Sequence, residues 1–552
     1  MALHSEHLHP LHLLWTAARK DRLVRGLLQA RSVPPRLNAW PSGMDPVAGP
    51  LGGAHPERHA SWRRSPFKTA QPGQGQPQAG GLVMKFGGSS VADAACMREV
   101  AALVTQALPS APLVVLSATA RTTDGLLQAA HRAEAGDLEA ALELSRSIQL
   151  RHRAIALELF PGHHPAVLAQ ALAELGRELD TLIRAVAMLR ELSPRSLDAI
   201  ASIGERLSSR ILASYLDADW VDARTVVRTD DRFGAAQPLT GELAALAARH
   251  LAPMLGPGRA VVTQGYIGSA AGGLTTTLGR GGSDLSAALL GAALGAAEIQ
   301  IWTDVEGIQT CDPRVVPEAR PIAELSFAEA AELATFGAKV LHPATIQPAV
   351  AAGIPVTVRH TRRPRGRFTR ITARVSAGHR VTALAQRGPV TVLTVSCGEV
   401  LNGNGFLAMA NLFQVFSRHQ VSIDLVATTE ASVSFTMDGD EPLEPLLKDL
   451  AGFGTVGVAR DRTIVAVVGE RLKSTPGVTG HCFGALTGIN VEMISMGAHD
   501  LNLSFVVKRE DAEPALRALH AALIEGVQGA AENLPLKRGL AGFHPMDIPR
   551  SA

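Results

Sequence analysis

From residue 82 onward, short apolar runs alternate with longer segments of helical periodicity. The apolar runs predict buried strands at residues 82–84, 113–116, 260–262 and 299–302. Segments such as 93–108 and 137–159 repeat their apolar residues at helical spacing. Strands that alternate with helices indicate an α/β fold whose mainly parallel sheet is covered on both faces. Ligands of such sheets bind at the loops beyond the carboxyl ends of the strands.

A different pattern begins after about residue 372. It predicts a strand at 391–395, a helix at 407–418 and strands near 421–425 and 432–437, and similar elements recur at 463–468, 480–486, 489–494 and 501–507. Both sets contain a Ser-Phe pair in their last strand, Ser434-Phe435 and Ser504-Phe505. We interpret them as an internal duplication of an α+β unit. The alternative is a coincidence between two ordinary α+β stretches.

The first eighty residues differ from the rest of the chain. They are rich in histidine, proline and arginine, are poor in acidic residues, and end in a Pro/Gln/Gly run at 71–81. Such a composition cannot readily bury a core. An organelle transit peptide is one interpretation. The Ala-, Gly- and Arg-rich composition is of a bacterial kind and favours a disordered extension or a start codon assigned too early.

Composition excludes several classes of function. Lys+Arg number 53 against 51 Asp+Glu, and aromatic residues make up only 4%, so nothing suggests nucleic acid or an anionic membrane as a partner. No apolar stretch reaches eighteen residues, which argues against a membrane span. The 4 cysteines are scattered and form no CxxC pair, which predicts a reducing cytoplasm rather than a disulfide or zinc scaffold. A length of 552 residues suggests about two to four domains.

The first candidate for chemistry is the loop that follows residues 82–84. Lys85 comes at the end of a predicted strand, and Gly87 and Gly88 follow it before a helix. Glycines let backbone N–H groups approach a phosphate, and a helix N-terminus adds a favourable dipole. Taken alone, a Gly-Gly turn after a strand is more often only a turn.

A second loop, at residues 275–284, precedes an apolar helix. It combines three threonines with Arg280, Gly281 and Ser283, which is a composition suited to an anionic ligand. We expect Ser283 to be the N-cap of the helix. Asp284 is either a first-turn partner of the helix dipole or a group that orients Lys85.

Two further segments carry charge near predicted element ends. Residues 302–308 lead into 311–314 and bring Asp304 and Arg314, which suit a nucleotide phosphate or Mg²⁺. Residues 336–344 place Lys339 near a helix end, where a lysine can also serve as a C-terminal dipole partner.

In this order, the four segments resemble those of the aspartokinases of the amino-acid kinase superfamily. Lys-Phe-Gly-Gly-Ser-Ser-Val-Ala at 85–92 is similar to the family signature, and Gly204-Glu205 and the Thr-Gln-Gly-Tyr-Ile-Gly segment at 263–268 recur in family order. The resemblance covers about residues 82 to 525, and the repeats look like paired ACT domains. It is strongest to the monofunctional, lysine-sensitive type, on residues 230–234 and 422–425.

The resemblance implies a three-layer α/β/α sandwich of the amino-acid kinase fold, followed by two α+β ACT-like domains. The implied boundaries are an N-terminal extension 1–80, a catalytic domain 81–372, ACT-like domains 388–460 and 461–530, and a tail 531–552. ACT domains generally pair across subunits, so the resemblance also implies a homodimer or a larger homo-oligomer.

The implied enzyme is a phosphotransferase with a carboxyl acceptor that converts ATP and L-aspartate to ADP and 4-phospho-L-aspartate. This is the first step towards lysine, threonine, methionine and diaminopimelate, and L-lysine is the expected feedback inhibitor. The cofactor is ATP with Mg²⁺, and no residue is assigned as a metal ligand.

The resemblance also assigns roles to residues of this chain. The side-chain carboxylate of aspartate, with a pKa of about 3.9, is already ionised and needs no general base. Lys85 would stabilise the transferring phosphoryl group, and Asp284 would hold Lys85. Aspartate would contact Ser117, Thr123, Glu205, Arg280, Gly281 and Ser283. ATP would contact Lys85, Gly87, Gly88, Ser89, Thr303, Asp304, Arg314 and Lys339. The effector would contact Ser422, Ile423, Asp424, Thr428, Thr429 and Glu430, unless these are ordinary solvated loop residues.

Three positions depart from the family pattern. Gln309 stands where similar enzymes often carry a tyrosine near the nucleotide, and Val400 and Gly403 replace a bulkier sulfur side chain and a serine.

Two other functions compete with the aspartokinase interpretation. One is a kinase for another small acceptor, such as glutamate, acetylglutamate or a nucleotide. The other is an amino-acid sensor whose kinase half has lost catalysis, against which the presence of Lys85, Arg280 and Asp284 argues.

Overall fold

The computed structural model describes residues 81–526, apart from 164, 338–342, 376–380, 397–400, 440–442 and 498–499. The predicted N-terminal extension and C-terminal tail lie outside the described residues, as do Lys339 and Val400.

The N-terminal part is built on one large sheet. Its strands are β1 (Leu82–Phe86), β2 (Leu113–Leu116), β3 (Asp219–Trp220), β4 (Val261–Gln264), β7 (Glu298–Thr303), β8 (Glu324–Ser326), β9 (Val356–His360) and β10 (Thr369–Thr372). Between β4 and β7, β5 (Ile267–Ala270) and β6 (Leu274–Thr277) form a separate antiparallel hairpin. The order across the sheet is β3-β4-β2-β1-β7-β9-β10-β8. All neighbouring pairs are parallel except β9 with β10, which confirms the mainly parallel sheet.

Helices cover both faces of this sheet. They are α1 (Ala94–Ala107), α2 (Thr122–Glu134), α3 (Leu138–Leu159), α4 (Ala166–Leu189), α5 (Pro194–Ala201), α6 (Ile203–Leu216), α7 (Thr240–His250), α8 (Gly282–Leu294), α9 (Phe327–Thr335) and α10 (Pro343–Ala352). Strand β1 shows why both faces must be covered. Val83 packs into a core with α7 and α8, whereas Met84 and Phe86 pack into a second core with α1 and α6. A strand that is apolar on both faces therefore lies between two helical layers.

The C-terminal part forms a six-stranded antiparallel sheet. Its strands are β11 (Ala383–Ser396), β12 (Val426–Thr428), β13 (Ser432–Asp438), β14 (Thr455–Val468), β15 (Met493–Met496) and β16 (Asn502–Lys508), in the order β12-β13-β11-β14-β16-β15. Its helices are α11 (Leu401–Arg418), α12 (Glu444–Leu450), α13 (Val478–Ala485) and α14 (Arg509–His520), and a π-helical turn, Ala521–Glu525, continues the last. Ser434-Phe435 lies in β13 and Ser504-Phe505 in β16, and both phenylalanines are fully buried.

The two long strands each serve both halves of this sheet. Residues 392–396 of β11 pair with 455–459 of β14, whereas residues 383–387 of β11 pair with 464–468. The first stretch of β11 therefore completes the half of the sheet that contains β15 and β16, although it precedes the first α+β unit in the chain. Strand β11 also runs across the predicted domain boundary at residue 388.

The predicted strand at 421–425 is wrong. These residues form an irregular run, and the strand begins only at Val426. Asp424 N–H bonds the Thr436 carbonyl at 2.9 Å, but Leu425 N–H bonds the Thr436 hydroxyl at 2.8 Å instead of a backbone carbonyl. Because a side chain takes the place of a backbone acceptor, the regular ladder cannot extend back through these residues.

Candidate active site

The carboxyl ends of β1, β2, β4 and β7 meet at one edge of the parallel sheet. Just beyond them, Ser117 N–H bonds the Phe86 carbonyl at 3.1 Å, and Gly87 N–H bonds the Trp302 carbonyl at 3.2 Å. Gly265 N–H bonds the Leu116 carbonyl at 2.8 Å. Three loops that are distant in sequence are thus held side by side, at the place where parallel sheets bind their ligands.

Lys85 and Asp284 form an ion pair at this edge. The Lys85 Nζ lies 2.6 Å from Asp284 Oδ1, and both side chains are largely buried. Lys85 is the penultimate residue of β1, and Asp284 lies in the first turn of α8. A buried lysine that is paired with one acid is held in a fixed position, which suits it to bind an anionic group.

The start of α8 differs from the prediction. Ser283 is not the N-cap: the helix begins at Gly282, and the N-cap is Gly281, whose φ of 71° is left-handed. A glycine takes this conformation without strain, so the loop can turn one residue earlier than the serine signal indicated. The Ser117 hydroxyl donates to the Ser283 hydroxyl at 3.0 Å, so Ser283 faces the loop after β2.

Glu205 is buried beside the same loop. It lies in the first turn of α6, is 3% exposed, and accepts a hydrogen bond from the Ala118 N–H. Its Oε2 atom is buried with no hydrogen-bond partner. Burial raises the pKa of Glu205 to about 8. A cationic donor placed at this oxygen would favour the ionised carboxylate and so lower the raised pKa.

Gly204 allows this close approach of α6 to the loop after β2. A Cβ atom at Gly204 would lie 2.7 Å from the Ala118 Cβ. Ser208, one turn further along α6, donates its hydroxyl to the Ser117 carbonyl at 2.8 Å. Helix α6 thus fixes both Glu205 and the backbone of Ser117.

Asp198 is a structural residue near the site that the sequence analysis did not identify. This acid of α5 is 2% exposed and accepts from Thr277 N–H at 2.9 Å, from the Thr277 hydroxyl at 2.8 Å and from Gly234 N–H at 2.8 Å. It thereby ties the 230–234 segment to the end of β6, directly before the Arg280 loop. The available signal was an acid between Leu197 and Ala199 on a short helix that also carries Ile200.

Other predicted residues are more exposed. Arg280 and Ser89 are exposed, and Thr123 is half-buried in the first turn of α2. The Thr303 hydroxyl donates to Asp304 at 3.0 Å beyond the end of β7. Arg314 is exposed and pairs with Asp312 at 2.6 Å. Half-buried Gln309 forms an isolated bridge with Pro321.

The predicted effector residues lie together at the edge of the first α+β unit. Asp424 is paired with Arg387 of β11 at 2.9 Å, its Oδ2 atom is buried without a hydrogen-bond partner, and burial raises its pKa. The rest of the set borders strand β12 and is more open: Ile423 is half-buried, and the exposed residues are Ser422, Thr428, Thr429 and Glu430.

The described residues contain neither a cluster of three or more His, Cys, Asp or Glu side chains fit for a metal nor a helix long and apolar enough to cross a membrane. At the sheet edge, the chain instead offers a buried ammonium group, a carboxyl group with a free oxygen, hydroxyls and glycine N–H groups. Such a site binds and orients anions, and it can stabilise charge that moves between them.

Comparison with known proteins agrees with this arrangement. A model of the amino acid kinase family matches residues 81–360, and a model of the ACT domain matches residues 465–523. Lysine-sensitive aspartokinase 3 of Escherichia coli is 42% identical over 80% of this chain and 99% of its own length. Chloroplastic aspartokinase 1 of Arabidopsis thaliana is 36% identical over 80% of both chains.

Solved structures give the same result. E. coli aspartokinase III in complex with aspartate and ADP, termed its R-state, matches with a TM-score of 0.69 and 42% identity, over 80% of this chain and 99% of that one. The same enzyme with lysine and aspartate, termed its T-state, matches with a TM-score of 0.68.

The family models and these relatives identify a phosphotransferase that acts on a carboxyl group, with ACT-type regulatory units attached. On the family model and these relatives, the chain belongs to the aspartokinases of the amino acid kinase family.

A substitution at Gly88 tests how closely the loops after β1 and β2 are packed. A Cβ atom at Gly88 would lie 2.8 Å from the Ala118 carbonyl oxygen, so we expect Gly88→Ala to lower the free energy of unfolding by about 1–3 kcal/mol. Gly87→Ala is the matched control, because its Cβ would meet the Trp302 carbonyl only at 3.8 Å. Thermal or urea unfolding of both variants gives the comparison. Equal stability of the two would contradict the packing described.

Proposed function

We propose that this chain transfers the γ-phosphoryl group of ATP to the side-chain carboxylate of L-aspartate, and releases ADP and 4-phospho-L-aspartate. The observation that carries the proposal is the buried Lys85–Asp284 pair at the carboxyl edge of the sheet, next to Ser117. It is supported by similarity to an enzyme whose structure holds aspartate and ADP.

In the proposed reaction, a carboxylate oxygen of aspartate attacks the γ-phosphorus as the bond to the ADP oxygen breaks. The nucleophile is ionised at neutral pH, so no proton has to be removed from it. The barrier lies in bringing two anions together and in the charge on the phosphoryl oxygens. Lys85 offsets that charge, and Asp284 keeps the ammonium group from swinging towards solvent.

We propose that Glu205 receives the ammonium group of aspartate on its free Oε2 atom. Arg280, on the exposed loop before α8, has the planar fork that grips a carboxylate at two points. Ser117, Ser283, Thr123 and Gly281 would supply the neighbouring hydroxyl and N–H contacts. Charge complementarity at both ends of the substrate would select an α-amino dicarboxylic acid.

On the nucleotide side, we propose contacts from the loops after β1 and β7. The Gly88 N–H group and Ser89 would approach the phosphates, and Gly87, whose N–H bonds the Trp302 carbonyl, would allow the close approach. The remaining contacts would come from Thr303, Asp304, Arg314 and Lys339. Mg²⁺ would be carried mainly by the ATP oxygens and water, which is its usual coordination in kinases, and would neutralise phosphate charge.

We also propose that the reaction is the first step towards lysine, threonine, methionine and diaminopimelate in the cytoplasm, and that L-lysine inhibits it. Buried free thiols at Cys96, Cys311 and Cys482 suit a reducing compartment. Asp424 has a free buried oxygen for an ammonium group, and a relative of known structure binds lysine. A homodimer or larger assembly would form through the ACT-like units.

Trapping the acyl phosphate with hydroxylamine tests the catalytic role of Lys85. Hydroxamate should require both ATP and L-aspartate, and Lys85→Ala should lower kcat at least about a hundredfold because a charge that stabilises the transition state is lost. Lys508→Ala, which removes an exposed lysine, should retain full activity. A folded wild type that binds lysine but makes no hydroxamate would be a sensor. Activity with another acceptor in place of aspartate would show a different amino-acid kinase.

Because the pKa of Glu205 is raised, we expect a proton to be released when aspartate binds. With a pKa of about 8, it is protonated at pH 7 in the free enzyme, and the ammonium group of the substrate would favour its ionised form. Calorimetry in two buffers of different ionisation enthalpy should show up to about one proton released per aspartate at pH 7. Affinity should therefore rise as the pH increases from 6 to 8. Glu205→Gln should bind weakly and release no proton, and equal release from this variant would contradict the assignment.

Asp424 and Asp438 provide a matched pair for the effector site. Both contact Arg387, but only Asp424 is largely buried. Asp424→Asn should raise the lysine concentration for half-inhibition at least about tenfold, because a charged hydrogen bond is lost. Asp438→Asn should leave it unchanged. The measurement is a lysine inhibition curve for each variant at fixed concentrations of ATP and aspartate. Unaltered inhibition in Asp424→Asn would rule out Asp424 as part of the effector site.

A further inference from the structure

The segment between β2 and α2 contains a turn in an unusual conformation. Thr122 N–H bonds the Thr119 carbonyl at 3.0 Å and closes a four-residue turn. Within it, Arg121 has a φ of 63°, the left-handed region that a side chain other than glycine rarely adopts. A strained turn persists only where its surroundings hold it, and such turns cluster at functional sites.

Two adjacent residues of α3 hold this turn from below. Arg151 Nη2 donates to the Thr119 hydroxyl at 2.5 Å and also to the Thr122 hydroxyl. Those two hydroxyls lie 2.6 Å apart, and His152 Nε2 lies 3.1 Å from the Thr119 hydroxyl. Arg151 Nε is buried without a partner, so the two threonines set the position of the guanidinium group.

The direction of each hydrogen bond follows from the acceptors. His152 Nδ1 faces the Ile148 carbonyl at 2.8 Å, and because a carbonyl only accepts, Nδ1 carries the proton. Nε2 of the neutral ring must then accept from the Thr119 hydroxyl, and the Thr122 hydroxyl donates to Thr119. Burial lowers the pKa of His152 to about 4, so the ring is neutral at pH 7. The hydroxyls of Thr119 and Thr122 and both ring nitrogens of His152 are thus matched in one arrangement.

The turn is continuous with the substrate side of the site. Thr123 follows it directly, and Ala118, one residue before it, donates its N–H to the Glu205 carboxyl group. Ser117 precedes Ala118 and bonds Ser283. A shift of the turn would therefore move Ser117, Thr123 and Glu205 together.

We propose that Arg151 and His152 are positioning residues that clamp the left-handed turn and so hold the Ser117–Thr123 segment in place for the amino-acid substrate. This inference rests on the proposed function, because it assigns aspartate to that segment. On the nucleotide side, the loop after β1 bonds the turn at one point, where Ala120 N–H donates to the Gly88 carbonyl at 3.1 Å. We therefore expect the clamp to affect ATP binding less than aspartate binding.

The test is initial-rate kinetics of hydroxamate formation on the full chain. Arg151→Ala should raise the KM for aspartate about tenfold, since small displacements of positioning groups have effects of this size or larger, and should change the KM for ATP less than twofold. Arg153→Ala, which removes an exposed arginine of the same helix, should match the wild type. Thermal unfolding of each variant establishes that it is folded.

A second substitution separates positioning from general loss of structure. Arg121→Gly allows the positive φ without strain, so the turn needs the clamp less. In the Arg151→Ala background it should return the KM for aspartate at least halfway to the wild-type value. A defect due only to a weakened core would not be rescued by glycine at an exposed position.

Three results would overturn the clamp: an unchanged KM for aspartate in folded Arg151→Ala, an equal rise in both KM values, or no rescue by Arg121→Gly. If Arg151→Ala shows no cooperative unfolding, Thr122→Val, which is nearly isosteric, takes its place in the same measurements and the same outcomes decide. A wild type without aspartate-dependent hydroxamate would overturn both proposals. An active wild type with unaltered variants would overturn the clamp alone.

Discussion

The ion pair between Lys85 and Asp284 constrains much of the architecture around it. Two charges taken out of water are tolerated only if they stay in contact, because either one alone would be buried without compensation. Lys85 lies near the end of β1, and Asp284 lies in α8, far along the chain, so the pair requires the loops after β1, β2 and β6 to converge. Glycines at 88, 204 and 265 allow that convergence, since a Cβ atom at each would lie within 3 Å of a neighbouring loop or helix.

The same constraint explains the electrostatics of the substrate side. The charge of Lys85 is balanced by that of Asp284, whereas Glu205 faces the site with one oxygen free and its pKa raised by burial. Under the proposed function, this pattern favours a ligand that carries a cation at one end and an anion near the lysine over a simple dicarboxylate.

Much of the fold could be predicted from periodicity, because strands buried on both faces are apolar throughout and the helices between them are amphipathic. Strand 113–116 was predicted to the residue, and the helices predicted at 93–108 and 137–159 have Asp93 and Asp137 as N-caps. The errors came from interactions that are not local. Ser283 looked like a cap, but Gly281 takes that place, and the strand predicted at 421–425 is interrupted by the Thr436 side chain. For the candidate site, Lys85 and Asp284 were proposed from their loops, and Glu205 came only from the resemblance. Asp198 and His152 depend on tertiary contacts that no spacing reveals.

Strands β11 and β14 make the two ACT-like units inseparable in a mechanical sense. The opening stretch of β11 precedes the first unit in the sequence but pairs with strand β14 of the second unit. The arrangement resembles a domain swap within one molecule. Neither unit can detach, rotate or slip in register without breaking hydrogen bonds that belong to the other. Strain introduced at one end of this shared ladder is therefore transmitted along covalent chain and not across a soft interface. A displacement of either unit therefore displaces the other through two continuous strands.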